Sequence, residues 1–560
     1  MTQHKKLETP EIISLLHEIG QRVKLQDGNR FRAQAYITAA DSLRAITRPL
    51  SEIITAGELT SIPGVGRAIA SLIERLYHTG SAPTLDMLRK EIPDGVIQML
   101  SIPGIRTDQI RKLYETTGIS NVAALQKAIE NKELEGKRGF SPVFQQKVLQ
   151  GLKLQREVGH KQHIHRATAL LEAAKHNLGT THPELRDITI AGDLRRQCEL
   201  IEDLRLVAIG DKRRAVKPIL GDIKLHLCPE EHFGSTLLLA TGSTAHIQLL
   251  AALASKKHLT LTPDGLKHGR TRMASATEEE IYNALGLAFI PPELREGLGE
   301  IEQAKHKTLP TLLRREDIRG ILHAHTIRSD GANSLEEMAE ATRQRGFSYL
   351  GITDHSQSAY YAGGLKSNEV SEQMKEADSL NTQYGRDFHI FKGIESDILG
   401  EGELDYPDAV LKRFDFIIAS VHSRFKMDRD MQTRRIVHAI RNPYTTILGH
   451  MTGRQLKRRP GYEVDTEAIL KACAEFHVAV EINGHPWRLD VDWRWHQMAM
   501  ALGCLISVNP DAHSTTEIDN IQWGVAMARK GGIPPERVIN CMSALQFTRF
   551  ISGKHATALT

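Results

Sequence analysis

Nine side chains in the C-terminal half are of the types that hold divalent metals: His323, His325, Asp330, His355, Glu395, His422, His450, Asp511 and His513. They arrive in short packets, LHAHT, SDG, TDHS, GIES, SVHS, LGH and PDAHS. One zinc ion takes about four ligands, so nine exceed the needs of a single ion. The chemistry they suggest is a cluster of two or three ions that activates water for phosphoester cleavage. No cysteine belongs to the set, which removes the softest ligand; imidazole with carboxylate suits manganese or zinc, with iron a further option.

Most packets follow a short apolar run that reads as a strand, such as YLGIT, FDFIIASV, TTILG and CLISVN. A parallel barrel would gather the C-terminal ends of such strands on one face. From residue 319 onward strands and helices alternate, as a βα barrel requires. His323 and His325, two apart on a strand, point to one face; Asp511 and His513 repeat that spacing. Glu395 is a candidate to bridge two ions, because a carboxylate has two oxygens to share.

At 560 residues the chain should hold several domains. It is 41% hydrophobic and 25% charged, as in ordinary globular protein. No apolar run is long enough for a bilayer, and the start, MTQHKKLETPEIISLLHEIG, lacks a signal-peptide pattern. Five cysteines with no CxxC pair make no disulfide framework, so a reducing cytoplasm is the expected home. The net charge of +4 does not by itself argue for nucleic acid. The basic stretches Lys212 to Lys217 and Lys457 to Arg459 read first as solvated surface.

Residues 1–155 read as helices. Within them, LTSIPGVGRAIASLI has the pattern of a helix–hairpin–helix. Pro63 ends one helix, Gly64 and Gly66 permit a tight turn around Val65, and the next helix opens with free N–H groups that can meet a DNA phosphate. A second copy, MLSIPGIRTDQIRKL, keeps Pro103 and Gly104 but has Arg106 at the second glycine. Two copies about 40 residues apart favour DNA binding over ordinary helical turns. Strands DITIAG, DLRLVAI and DIKLHLC follow between 185 and 240, and the charged stretch 303–318 reads as a linker.

These first 310 residues resemble family X DNA polymerases. AGDLRRQCELIEDLRLVA is similar to their palm motif G-S-x-R-R-x-x-E-x-x-x-D-x-D, and LATGSTAH to Y-F-T-G-S-x-x-H. The motif's arginines are Arg195 and Arg196, and its first aspartate is Asp203. Arg205 stands at the second aspartate, and Asp222 in GDIKL is the candidate third. Nucleotidyl transfer needs carboxylates to hold magnesium, and Arg205 would pair with Asp203 instead. Asp193 replaces the serine that helps hold the triphosphate, Leu239-Ala240 replaces Tyr-Phe, and Leu72 stands where a lyase lysine is expected. Magnesium is therefore expected only if the palm retains binding.

Residues 319–555 resemble the PHP (polymerase and histidinol phosphatase) domain, with every ligand position of that family filled and in order. The resemblance implies a distorted (β/α)7 barrel with three ions. Its fusion to a family X polymerase is the bacterial PolX arrangement. The expected fold is multidomain α/β. A helical domain with helix–hairpin–helix takes 1–80, a fingers-like helical domain 81–155, a degenerate palm 156–244, a thumb 245–310 and the PHP barrel 319–555. Arg424 and Arg488 are candidates to clamp a phosphate, and His485 to donate a proton. The expected activity is that of a monomeric DNA repair nuclease, a 3′→5′ exonuclease or 3′-end and abasic-site phosphodiesterase. It would act on gapped, nicked or 3′-ended DNA, with no membrane partner. The alternatives are a small-molecule phosphatase, a DNA-end scaffold with a structural cluster, and a working polymerase.

Overall fold

The computed structural model of the chain describes residues 7–26, 30–44, 48–211 and 223–557. Asp222 and the stretch Lys212 to Lys217 lie outside the described residues. The chain forms two compact units, Met1–His160 with Lys457–Arg459, and Lys161–Leu456 with Pro460–Thr560. No described helix is long and apolar enough to cross a membrane, and all five cysteines are free thiols.

The first unit is helical. Helices Thr9–Gln26, Arg67–Thr79 and Pro83–Glu91 share a core of Ile12, Leu16, Ile19, Ile73, Leu76 and Leu88. Helix Arg67–Thr79 buries Ile69, Ala70, Ile73 and Leu76, a stripe at helical spacing, and ends at Gly80 with φ +69°. A second core gathers Met99, Ile102, Ile110, Leu113, Leu125 and Val148. Each hairpin lies at the edge of its own core.

The second unit opens with helix Ile164–Thr181, which packs on a three-stranded sheet. Strands β1 (Arg186–Ala191) and β2 (Leu204–Ile209) are antiparallel, and β3 (Lys224–Cys228) is parallel to β2. Helix Phe233–Thr241 covers it. A small antiparallel sheet follows: β4 (Thr260–Thr262), β5 (Gly265–His268) and β6 (Thr271–Ala274). The stretch read as a linker is helical to His306 and then packed: Leu312 and Leu313 are buried, and the Leu313 amide donates to Ile533 O at 3.1 Å.

Seven parallel strands complete the unit: β7 (Gly320–Ile321), β8 (Tyr349–Ile352), β9 (His389–Asp397), β10 (Phe416–Ser420), β11 (Thr445–Leu448), β12 (Ala479–Asn483) and β13 (Ile506–Asn509). Each pairs with its sequence neighbours. The ends meet through a parallel bridge between Ala324 and Ala512, just past β7 and β13. The strands are almost wholly buried, which is why they read as continuous apolar runs.

The barrel interior changes character along its axis. At its lower end Tyr349, Phe391, Phe416, Ile418 and Ile447 pack around Phe547 of helix Ala544–Thr557, whose ring stacks on Tyr349 at 5.9 Å. Gly351 and Gly393 make room for Phe416; a Cβ at either would lie within 2.6 Å of its ring. Two residues further along β9 and β12 the same inward face carries Glu395 and Glu481. The apolar plug thus gives way to a polar rim at the strands' C-terminal ends.

Candidate metal centre

All nine predicted metal-binding residues converge on that rim. His323 and His325 follow β7, His355 follows β8, Glu395 lies within β9, His422 follows β10 and His450 follows β11. Asp511 and His513 follow β13. Asp511 takes a left-handed backbone, φ +54°, which turns the chain after the strand. Asp330 comes in on the loop after His325. Buried Asp354 shapes that loop by accepting hydrogen bonds from Thr326 N and Oγ1, both at 2.7 Å, and from Ser329 and Gln373.

Three groups of side chains have ligand atoms close enough to share an ion: His325, Asp330, His355 and His513; His323, His325 and Asp511; His355, Glu395 and His422. Glu395 sits at the centre. Its Oε1 lies 3.5 Å from His323 Nε2, 3.3 Å from His422 Nε2 and 3.0 Å from His450 Nε2, and its Oε2 lies 3.0 Å from His355 Nδ1. Asp511 Oδ1 lies 3.4 and 3.2 Å from the Nε2 atoms of His323 and His325. Asp330 Oδ1 is 3.6 Å from His355 and 3.4 Å from His513. Asp330 and His513, about one-third exposed, mark the side open to solvent.

These residues fit a divalent metal. Six site atoms are buried with no hydrogen-bond partner: His323 Nε2, His325 Nδ1, His355 Nδ1, Glu395 Oε1, His422 Nε2 and His450 Nδ1. A buried polar atom left unpaired is costly, and five of these six, all but His450 Nδ1, face another member of the cluster, where a cation would satisfy them. The ring tautomers agree. His323 Nδ1 donates to Glu481 at 2.6 Å and His422 Nδ1 to Asp397 at 2.6 Å, which leaves each Nε2 lone pair facing inward.

Charge balance points the same way. Glu395, Asp511, Asp330, Glu481 and Asp397 crowd together, and Arg488 is a permanent cation beside them, with Nε 3.5 Å from Asp511. Burial opposes ionisation of Glu395 and Asp511, yet the surrounding imidazoles hold both well below the usual carboxylate range. Burial likewise opposes charge on His323 and His422. Glu481, Asp511 and Glu395 nevertheless hold His323 well above its ordinary value, and Glu395 and Asp397 push His422 up to about 9. The carboxylates draw positive charge into the site.

Sequence reasoning missed Glu481, Asp397 and Asp354. Each left a signal: a carboxylate inside or directly after an apolar strand has to be satisfied. Asp397 lies two residues beyond Glu395 on the same strand face, and Glu481 stands alone in the run VAVEIN.

The other candidates divide. Arg488 reaches the cluster. Arg424 is exposed, folds over Gly400, and makes no ion pair with the cluster among the described residues. His485 accepts the Trp487 amide at Nδ1, 3.3 Å, and burial, Arg488 and His513 keep its pKa below the ordinary value against the pull of Asp511.

In the helical unit, Gly64 has φ +77° and Gly104 φ +82°, so the two hairpins share a left-handed turn. The position after each turn is different. Gly66 has φ −78° and Arg106 φ −86°, ordinary extended backbone, so arginine breaks nothing there. Val65 faces the core, and its N–H is bonded to Ile62 O. Arg106 is exposed beside Asp108 at 3.3 Å. Leu72 packs against the helical core.

At the palm, the Asp203 carboxylate is engaged by two cations from neighbouring strands, Arg205 with Nε at 2.6 Å and Lys224 with Nζ at 3.1 Å. Asp193 accepts the backbone N–H groups of Glu202 and Asp203 and pairs with Arg196 at 2.7 Å. Arg195 is held bidentately by Glu278, at 2.8 and 2.7 Å, and Arg196 Nε donates a single bond to Glu296 at 2.8 Å.

A seven-stranded barrel with such a cluster on its C-terminal rim, carried behind a polymerase-type helical and sheet region, defines a class of two-part enzymes. Family models agree with each part. A helix–hairpin–helix domain matches residues 8–82, a DNA polymerase beta thumb matches 236–296, and a PHP domain matches 322–485. The chain is 33% identical over 577 residues to the DNA polymerase/3′-5′ exonuclease PolX of Bacillus subtilis (strain 168), covering 98% of this chain and 99% of that one. It belongs to the bacterial PolX family. The barrel region alone is 29% identical over 238 residues to a protein named probable phosphatase from Caldanaerobacter subterraneus, over 39% of this chain and 85% of that one. A similarly named protein from Vibrio campbellii is 29% identical over 41% of this chain and 90% of its own length.

Proposed function

We propose that the chain is a metal-dependent 3′→5′ DNA exonuclease whose single catalytic centre is the barrel cluster. The observation that carries this is the convergence of nine ligand-type side chains, six of their atoms buried without partners. Manganese or zinc suits the donor set, and the three groups around Glu395 and Asp511 would take up to three ions. Bound there, such ions supply a water acidic enough to attack at neutral pH and neutralise phosphoryl charge. The chain's own residues do the rest. Glu481 and Asp397 fix the rings of His323 and His422, and Arg488 lies where it can hold a phosphate oxygen against the cluster.

The helical unit, with two exposed turns at helix starts, would hold DNA through phosphate contacts that carry no base sequence. In the palm, Asp203 is spent on Arg205 and Lys224, so we infer that nucleotidyl transfer is lost.

The test is a 5′-labelled primer–template given manganese and dNTPs. Primer shortening, abolished by His323→Ala with DNA binding retained, is expected. Primer extension would overturn the lost-palm reading. The similarity to proteins named as phosphatases favours a small phosphate monoester as the second substrate; its hydrolysis without any shortening of DNA would overturn the exonuclease.

A further inference from the structure

The loop between β8 and helix Ser367–Tyr384 leaves two aromatic rings in solvent at the mouth of the metal cluster. Tyr360 is 87% exposed and Tyr361 64%. The loop beneath them is tightly built. Ala359, Ala362 and Leu365 are buried, and the Ala359, Ala362 and Leu365 amides donate to Ser356 O, Ala359 O and His355 O at 2.8–3.0 Å. A side chain at Gly364 would collide with Ser356 O at 1.9 Å. The tyrosines are therefore held outward by a packed base.

Their position matters. The Tyr361 ring is 6.4 Å from the ring of His355. Partial burial of the phenol, together with the carboxylates Asp397, Glu395 and Asp330, holds its pKa above the ordinary value. The two tyrosine rings stand edge to face at 6.4 Å and 76°, so they are not stacked on one another. Ile327, 61% exposed, stands on the adjoining loop between His325 and Asp330. That loop lies against this one, since a Cβ at Gly363 would be 3.4 Å from Ser329 O.

Exposed aromatic rings beside a phosphate-cleaving centre have an obvious partner in a nucleobase. Every base has a flat π face, and stacking on tyrosine is strong and tolerant of sequence. A small phosphate ester would leave such a rim unused. We propose that Tyr360 and Tyr361 form a base-stacking platform for the unpaired terminal bases of a single-stranded 3′ end, seating the terminal phosphodiester at the cluster. This rests on the exonuclease reading and narrows its substrate to frayed or single-stranded ends with no base preference.

The test compares two 5′-labelled single strands, one ending in an ordinary nucleotide and one whose last two residues lack bases, with manganese. In the wild-type chain the end without bases should show KM raised about 30-fold or more, the scale of two lost stacks. In Tyr360→Ala/Tyr361→Ala the two ends should become equivalent. Tyr360→Phe/Tyr361→Phe should restore the difference, because the rings and not the hydroxyls carry it; this also guards against a variant that merely misfolds. Equal KM for both ends in the wild type, or a difference that survives in the alanine variant, overturns the platform. Absence of shortening by the wild-type chain sinks the exonuclease reading instead, so the two failures are told apart.

Discussion

Glu481 offers the sharpest check on how the centre is built. It is fully buried, is not one of the nine, and accepts four hydrogen bonds: from His323 Nδ1 at 2.6 Å, the His450 amide at 2.7 Å, Asn509 Nδ2 at 2.9 Å and Asn483 Nδ2 at 3.2 Å. Glu481→Gln keeps the shape but replaces one acceptor oxygen with an NH2 group. All four neighbours are donors, so at least one bond becomes a donor facing a donor. The negative charge that would make His323 a strong ligand is also lost. Outer partners of this kind are worth about 10–100-fold in metal affinity, or roughly 1.4–2.8 kcal/mol at 1.4 per decade. Titration of the metal-free protein with manganese by calorimetry should show that weakening. Activity on a labelled 3′ end should return at high manganese, whereas in His323→Ala it should not. Unchanged affinity would refute the role assigned to Glu481. Activity lost with affinity intact would mean that the carboxylate acts on substrate instead.

Two further outcomes follow from geometry away from the centre. Burial lowers the pKa of fully buried His496 from 6.5 to about 4. The unfolded chain therefore binds the extra proton first, and the stability present above pH 6.5 is lost as pH falls toward 4, by about 3 kcal/mol. Denaturant melts of wild type and His496→Gln at pH 7 and 4.5 should show a smaller acid loss in the variant; equal losses would refute this. In the first hairpin, Gly64→Ala must adopt φ +77° with its Cβ 2.7 Å from Thr38 Cγ2. It should destabilise the helical unit by about 1–2 kcal/mol, while Gly66→Ala, extended and with open space around it, should melt like wild type within about 0.5 kcal/mol.

How much could be read in advance depended on whether a residue's signal was local. The barrel was legible because parallel strands buried on both faces leave long apolar runs, and the ligand-type side chains punctuate their ends. Glu481 and Asp397 lie within the same runs, and without the fold nothing distinguishes a carboxylate bracing a histidine from one facing an ion. The strands β4 to β6 are three or four residues long, too short for alternation to show. Its charges mark the stretch 303–318 as a linker, whereas the buried Leu312 and Leu313 between them settle its packing. In the hairpins, glycine suggested a special backbone at both Gly64 and Gly66, and only Gly64 has one.

The palm motif keeps its shape through charges of its own. In a polymerase, metal ions would balance clustered carboxylates. Here Arg205 and Lys224, on adjacent strands in register, do so with permanent charges that cannot dissociate. Asp193 is not idle either, since it ties down the amides of Glu202 and Asp203. Neighbouring motif residues brace the barrel. Glu199 accepts Trp493 Nε1 at 2.9 Å and Arg494 at 2.8 Å, and the Arg196 carbonyl accepts Lys530 Nζ at 3.0 Å. Trp493 and Arg494 follow closely on Arg488, in the loop that reaches Asp511. Under the reading proposed here, the motif persists because it supports the loop carrying Arg488, and selection on the nuclease would preserve it after synthesis was gone.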